Sequence, residues 1–362
     1  MRSMIFHFPL PLDVNSKSAS GIRPLKMLAA FKELGFDVDV ISGYSSERKR
    51  AIRKVKDKII SGKKYDFLYS ESSTMPTVLT DKNHFPKHPF MDFCFFYFCK
   101  KNGVNIGLFY RDIYWVFDDY KKSGGLIKRC FAKFFYYYDL VFYELLLTKL
   151  YVPSENMMKY VPIVSCDIIS DLPPGHDAYR FNFDKKVDEN LKIFYVGGMS
   201  SHYEMDILFD VVSQTPNISL TICTRKAEWE NVKANYPDLG DNIRIVHESG
   251  YEMRKMMLDS DIVSLYVQPK EYWSFASPVK LYEYLGNLKP ILASEGTLAG
   301  EFVRENGIGW TIPYNKNSLF NFLVDTKKIS SDINIFKHKI SEISQQHTWL
   351  ERAKEVAGDL SQ

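Results

Sequence analysis

The sequence predicts an α/β protein made of two doubly wound parallel-sheet domains. Three observations carry this. Short apolar runs alternate with amphipathic stretches, the alternation stops and restarts near the middle of the chain, and a Pro/Gly segment separates the two halves. With 362 residues, 45% apolar and 25% charged, the chain is long enough for two full cores and has an ordinary globular balance.

In the first half, Ser3-Met-Ile-Phe-His-Phe8 reads as a strand. A loop rich in Ser, Asn and Gly runs from Asp13 to Gly21. A helix follows from Arg23-Pro-Leu-Lys to a stop at Gly35, then the strand Asp37-Val-Asp-Val-Ile-Ser42. That is one βαβ unit, which implies a parallel pair with a right-handed crossover. Phe67 to Ser70 and Asn105 to Tyr110 are further strands, and Tyr151-Val-Pro-Ser154 reads as the last of this half. The basic run Arg48 to Lys58 reads as an amphipathic helix with Ile52, Val55 and Ile59 inward. The second half restarts at Leu191-Lys-Ile-Phe-Tyr-Val-Gly-Gly198, with a helix over Glu204–Val212 and strands at 219–224, 243–246 and 262–266. Leu172-Pro-Pro-Gly-His-Asp177 suits a linker. The expected division is a first domain over 1–168, a linker over 169–190, a second domain over 191–334, and terminal helices over 335–362.

The net charge of +3 conceals an asymmetry: residues 1–165 hold 26 Lys/Arg against 16 Asp/Glu, and the remainder 21 against 28. A basic first half and an acidic second half suit different partners, with an anion on the first. No nucleic-acid module is recognisable, so a membrane surface or lipid phosphate is the expected anion and nucleic acid is not. The five cysteines show neither metal nor redox spacing, and the first apolar run is too short for a secretory leader. The expected location is the cytoplasm.

The densest chemistry lies in Ser277-Pro-Val-Lys-Leu-Tyr-Glu-Tyr-Leu-Gly-Asn-Leu-Lys-Pro-Ile-Leu-Ala293. Ser277 as a hydroxyl cap and Pro278 as first residue start a helix that Gly286-Asn287 ends, and Pro290 leads into a short strand. A helix start favours an anion, and Lys280 adds a positive charge there. One turn on, Glu283 offers a carboxylate suited to vicinal hydroxyls. Phosphate at the mouth and ribose beside it describe a nucleoside diphosphate site.

This segment resembles the nucleotide-sugar site of GT-B glycosyltransferases, particularly family-four retaining enzymes and their bacterial polysaccharide relatives. The resemblance implies two Rossmann-like domains facing a cleft, with a C-terminal helix packing back on the first domain. It puts Lys280 on the diphosphate and Glu283 on the ribose of a UDP- or GDP-sugar. Many members carry a further Glu where this chain has Phe275, and an Arg and a Lys where it has Ser200, Ser201 and His202. Leu172 to Asp177 resembles the passage that crosses between the domains in such enzymes. The resemblance also implies that no bound metal or other cofactor is needed, and no Asp-x-Asp or His/Cys cluster is visible.

Other candidates come from strand ends. Gly197 and Gly198 end a strand in a turn that permits close approach to phosphate, with Ser200 just beyond. Arg225 follows the next strand and His247 the one after, each either a donor contact or a surface residue. Tyr272, Trp273, Ser274 and Phe275 are candidates to line the sugar pocket or to pack in the core. Gly21 and Arg23, read as lying before the first helix, are candidates for the acceptor. Arg111 and Asp112 follow the strand Asn105 to Phe109. In an inverting reaction Asp112 is the candidate general base, and in a retaining one it binds on the acceptor or leaving side. An Arg–Asp pair that merely orients the loop is the alternative.

Residues 90–151 contain 21 aromatic residues with Lys100, Lys101, Lys121, Lys122, Lys128, Arg129 and Lys133 among them. Two readings stand: a tyrosine-rich core under a solvated charged face, or a basic helix lying on an anionic membrane surface. Together these features point to a glycosyltransferase that moves a sugar from a nucleotide diphosphate sugar to a glycan or polyprenyl-linked acceptor. The expected setting is bacterial surface polysaccharide or glycoconjugate assembly. A nucleotide-sugar epimerase or hydrolase of the same fold, or a silent nucleotide-sugar-binding partner, are the rivals.

Overall fold

A computed structural model describes residues 2–16, 18–117, 125–178, 190–199, 203–237 and 239–361. The chain forms two compact units, one of Met1–Pro174 with Trp349–Gln362 and one of Gly175–Thr348. The division therefore falls inside the segment read as a linker.

The first unit is built on a six-stranded parallel sheet of β1 (Ser3–Phe8), β2 (Asp37–Ser42), β3 (Phe67–Glu71), β4 (Asn105–Phe109), β5 (Lys149–Val152) and β6 (Ile169–Asp171). Their order across the sheet is β2-β1-β3-β4-β5-β6. Its helices are α1 (Ala19–Glu33), α2 (Ser45–Ile60), α3 (Met91–Lys101), α4 (Leu126–Leu146) and the single turn α5 (Glu155–Met158). β1 is buried at every position, as a strand covered on both faces must be. The strand β6 was not expected: at three residues its pattern is too short to read.

α1 begins four residues before the expected start, behind the extended Ser18. Gly21 and Arg23 are therefore inside the helix rather than on a loop before it, and Pro24, its sixth residue, gives up the helical hydrogen bond to the Ser20 carbonyl. A Cβ on Gly21 would fall 2.1 Å from Ser16 Oγ, so glycine is what lets the preceding loop close onto α1. In α2 the basic run is not wholly solvated. Arg48 is buried and grips buried Asp92 of α3 through both carboxylate oxygens, at 3.0 and 2.9 Å. Burial works against the Asp92 carboxylate, yet Arg48 and His7 hold its pKa down to about 2.

The second unit repeats the plan with β7 (Leu191–Val196), β8 (Ile218–Cys223), β9 (Ile243–Val246), β10 (Ile262–Leu265), β11 (Ile291–Ser294) and β12 (Gly309–Ile312). All are parallel, in the order β12-β11-β10-β7-β8-β9. Its helices are α6 (Asp206–Ser213), α7 (Lys226–Val232), α8 (Gly250–Asp259), α9 (Val279–Gly286), α10 (Leu298–Asn306), α11 (Lys316–Val324) and α12 (Thr326–Ser344). The long C-terminal helix foreseen from Ile335 is broken at 345–348. Only α13 (Trp349–Leu360) belongs to the first unit, where Trp349, Val356 and Leu360 join Met27 and Phe31 in one core. Gly107 of β4 makes room for it, since a Cβ there would meet Leu360 at 2.5 Å.

Candidate functional site

In the second unit the chain winds from β7 outward through β8 and β9, then returns to β10 on the other side of β7. Open α/β sheets hold ligands at such a reversal, outside the carboxyl ends of the strands. β7 runs out there into Gly197-Gly198, and α9 opens beyond β10. Gly197 has φ +145°, a conformation that only glycine adopts readily.

α9 starts one residue later than expected. Pro278 is the cap position and Val279 the first helical residue, with no side chain capping the end. Ser277 does not cap it, because its Oγ lies 3.3 Å from Tyr282 Oη instead. The first N–H groups of this helix thus have no capping side chain, the condition under which an anion is favoured.

Lys280 sits in the first turn of α9 and reaches back to the glycine turn. Its Nζ donates to Tyr195 Oη at 2.7 Å, and that hydroxyl donates to Gly198 O at 2.6 Å. The ammonium also lies over two rings, 3.9 Å from the centroid of Tyr203 and 4.3 Å from that of Tyr195. A Cβ on Gly197 would come within 2.5 Å of Nζ. Burial pushes the Lys280 pKa down to about 7, with Glu283 and Glu228 acting in the opposite sense. Lys280 is therefore parked on neutral aromatic partners.

Other candidates gather to different degrees. Trp273, Pro278 and Lys280 line one small depression with Tyr203, Leu265, Val267, Thr297 and Ala299. Phe275 is buried, as core packing would have it, with its ring 5.3 Å from that of Tyr272. Ser274 Oγ donates to Glu271 O at 2.7 Å in a local turn. Glu283 lies one turn beyond Lys280 and is half-buried. Arg225 precedes α7 and pairs with Glu228, which also accepts the Met199 N–H at 3.2 Å. His247 is exposed and donates from Nδ1 to Thr224 O at 2.8 Å. Ser200 lies outside the described residues. Tyr195, Tyr203 and Glu228 were not foreseen. Tyr195 had one available signal, as a tyrosine on the core face of its strand two residues before a glycine turn.

The first unit gathers charge differently. Glu71, the last residue of β3, is fully buried between Arg23 Nε at 3.3 Å and Arg111 Nη2 at 3.2 Å, and it accepts from Tyr69 Oη at 3.1 Å. Burial raises the Glu71 pKa, and the two guanidiniums oppose that rise. Arg23 also stacks on Phe109, 3.4 Å from the ring centroid, and donates to Leu172 O. It is an interior residue, not part of an exposed acceptor loop. The Asp112 charge acts on the Arg111 guanidinium. Arg111 is held by Glu71 and Ser72, whereas Asp112 Oδ1 accepts the N–H groups of Ile113 and Tyr114 at 2.7 and 3.0 Å. No group of three or more His, Cys, Asp or Glu suited to a metal ion occurs among the described residues.

No protein-family model matches the sequence, and no characterised protein matches it by sequence search. Solved structures do match, over nearly the whole chain. HepE of Anabaena, crystallised with UDP-glucose, superimposes with a TM-score of 0.64 at 11% identity, covering 99% of each chain. WaaG, described as a glycosyltransferase involved in lipopolysaccharide biosynthesis, gives 0.61 at 11% identity and 99% of each chain. A glycosyltransferase from Rickettsia africae gives 0.63 at 13% identity, covering 99% of this chain and 98% of that one. The chain has the GT-B fold. Within the GT-B frame, the β7/β10 reversal and the opening of α9 belong to the second Rossmann-like unit. The Glu71 cluster belongs to the first, at the carboxyl ends of β3 and β4.

Proposed function

We propose that the protein is a glycosyltransferase that takes a sugar from a UDP- or GDP-sugar bound by the second unit. The acceptor is a glycan or polyprenyl-linked intermediate of bacterial surface polysaccharide or glycoconjugate assembly. The observation that carries this reading is Lys280 in the first turn of an uncapped helix, against a glycine turn at the sheet's topological reversal. Breaking the bond from the sugar's anomeric carbon to the diphosphate leaves negative charge on the departing phosphate. In this reading the α9 N–H groups and Lys280 bind that charge, and Glu283 takes the ribose hydroxyls. Support for a uridine nucleotide comes from HepE, which was crystallised with UDP and UDP-glucose.

The test is nucleotide release from a panel of UDP- and GDP-sugars, with and without a lipid-linked acceptor, for the wild type and Lys280→Ala. Acceptor-dependent release that Lys280→Ala removes is expected. Equal release without acceptor would mean a hydrolase or epimerase, and neither release nor binding would mean a silent partner. Asp112→Asn keeps an oxygen for the Ile113 and Tyr114 N–H groups, so it separates turn geometry from chemistry. In an inverting reaction turnover falls by about 10²–10⁴. In a retaining one the loss shows in acceptor affinity.

A further inference from the structure

α4 carries two opposed faces. Phe135, Tyr136, Asp139, Leu140 and Tyr143 are buried against the first unit. On the other side Ile127, Phe131, Phe134, Val141 and Leu145 form a continuous apolar stripe at helical spacing, with Ile127 85%, Phe134 64% and Leu145 61% exposed. Exposed Phe90 extends the stripe, its ring 6.1 Å from that of Tyr138. A contiguous patch of this kind on a folded protein marks an interaction surface rather than chance.

The charges around the stripe favour one class of partner. Lys128 and Lys133 lie exposed in the first two turns of α4. Both acidic residues of the helix are engaged by the protein. Buried Asp139 accepts the Thr77 N–H at 2.7 Å, and Glu144 accepts the Ser165 N–H at 2.8 Å. The outward balance of this face is basic. No helix among the described residues is long and apolar enough to cross a membrane. A basic helix with an exposed aromatic and aliphatic stripe is suited to lie in the interfacial plane instead. Because α4 links the parallel strands β4 and β5, its basic end is at the carboxyl edge of the sheet, the edge that also holds Arg111 and Asp112.

We propose that this face of α4 docks on an anionic lipid bilayer, with the apolar stripe entering the headgroup region and the lysines meeting lipid phosphates. The inference stands apart from the nucleotide-sugar reading. It is tested by sedimenting the full chain with phosphatidylcholine vesicles, with and without phosphatidylglycerol, at low salt. Binding to the anionic vesicles alone, weakened by salt, is expected. Lys128→Ala/Lys133→Ala should weaken the partition by about thirtyfold. Phe131→Ser/Phe134→Ser, both at exposed positions, should weaken it at least as much while the melting temperature is unchanged. Protein left in the supernatant with both vesicle types would overturn the proposal, as would variants that bind like the wild type. Concentration-dependent self-association without lipid, abolished by the same phenylalanine variant, would overturn it in favour of a contact between copies.

Discussion

The two units place buried cations at the carboxyl ends of their sheets in opposite ways. In the first, Arg23 and Arg111 close on the chain's own carboxylate, Glu71, and the cluster ties α1, β3 and the turn after β4 into one piece. In the second, Lys280 rests on a phenol and two ring faces, while its nearby carboxylates act only through space. A cation paired internally belongs to the scaffold. A cation held by neutral groups keeps its charge available to an incoming anion.

That contrast yields effects of different size and kind. Glu71→Ala should cost about 3–5 kcal/mol of stability, because it leaves two buried guanidiniums without their counter-charge. Denaturant unfolding reads this, and a loss below about 1 kcal/mol would mean that water or other groups already serve the arginines. Lys280→Ala should weaken donor affinity by roughly 10- to 100-fold, the worth of about 1.5–3 kcal/mol for a charge-assisted contact. Its melting temperature should hold, since the lysine satisfies no buried carboxylate. A large drop in melting temperature with unaltered affinity would make Lys280 scaffold too. Gly197→Ala sits between these. It strains a backbone at φ +145° by about 1–3 kcal/mol and pushes on Lys280 Nζ, so stability and donor affinity should fall together. Unchanged affinity in that variant would separate the turn from the lysine.

How much of this was legible in the chain follows from how local each signal is. α9 was readable because its start and stop are neighbours in sequence, Pro278 and Gly286-Asn287, and its boundary moved by only one residue. Pro24 misled the start of α1, since proline usually marks the first helical residue, whereas here the helix already runs from Ala19. The packing of a C-terminal helix on the first unit followed from the resemblance, but the break at 345–348 gave no strong local signal. Long-range pairing was invisible. Arg48 looked like one more solvated residue of a basic run, because Asp92 lies far along the chain. Glu71 was equally silent, although both of its partners, Arg23 and Arg111, stood among the candidates. In the second unit the same limit hid Tyr195 and Tyr203. The lysine is evident from sequence, but the rings it rests on come from β7 and the loop after it.

The most direct test of the account is the proton linkage of donor binding. A UDP-sugar has no phosphate that titrates near neutrality, so proton exchange belongs to the protein. With its pKa at about 7, Lys280 is about half protonated at pH 7, and a diphosphate beside it favours the charged form. Calorimetric titration of a bound UDP-sugar at pH 7, in buffers of different ionisation enthalpy, should show uptake of about half a proton. The affinity should fall by up to about tenfold per pH unit above 7, and Lys280→Met should abolish both effects. Binding of the same strength in Lys280→Met, with the same proton count as the wild type, would contradict the account.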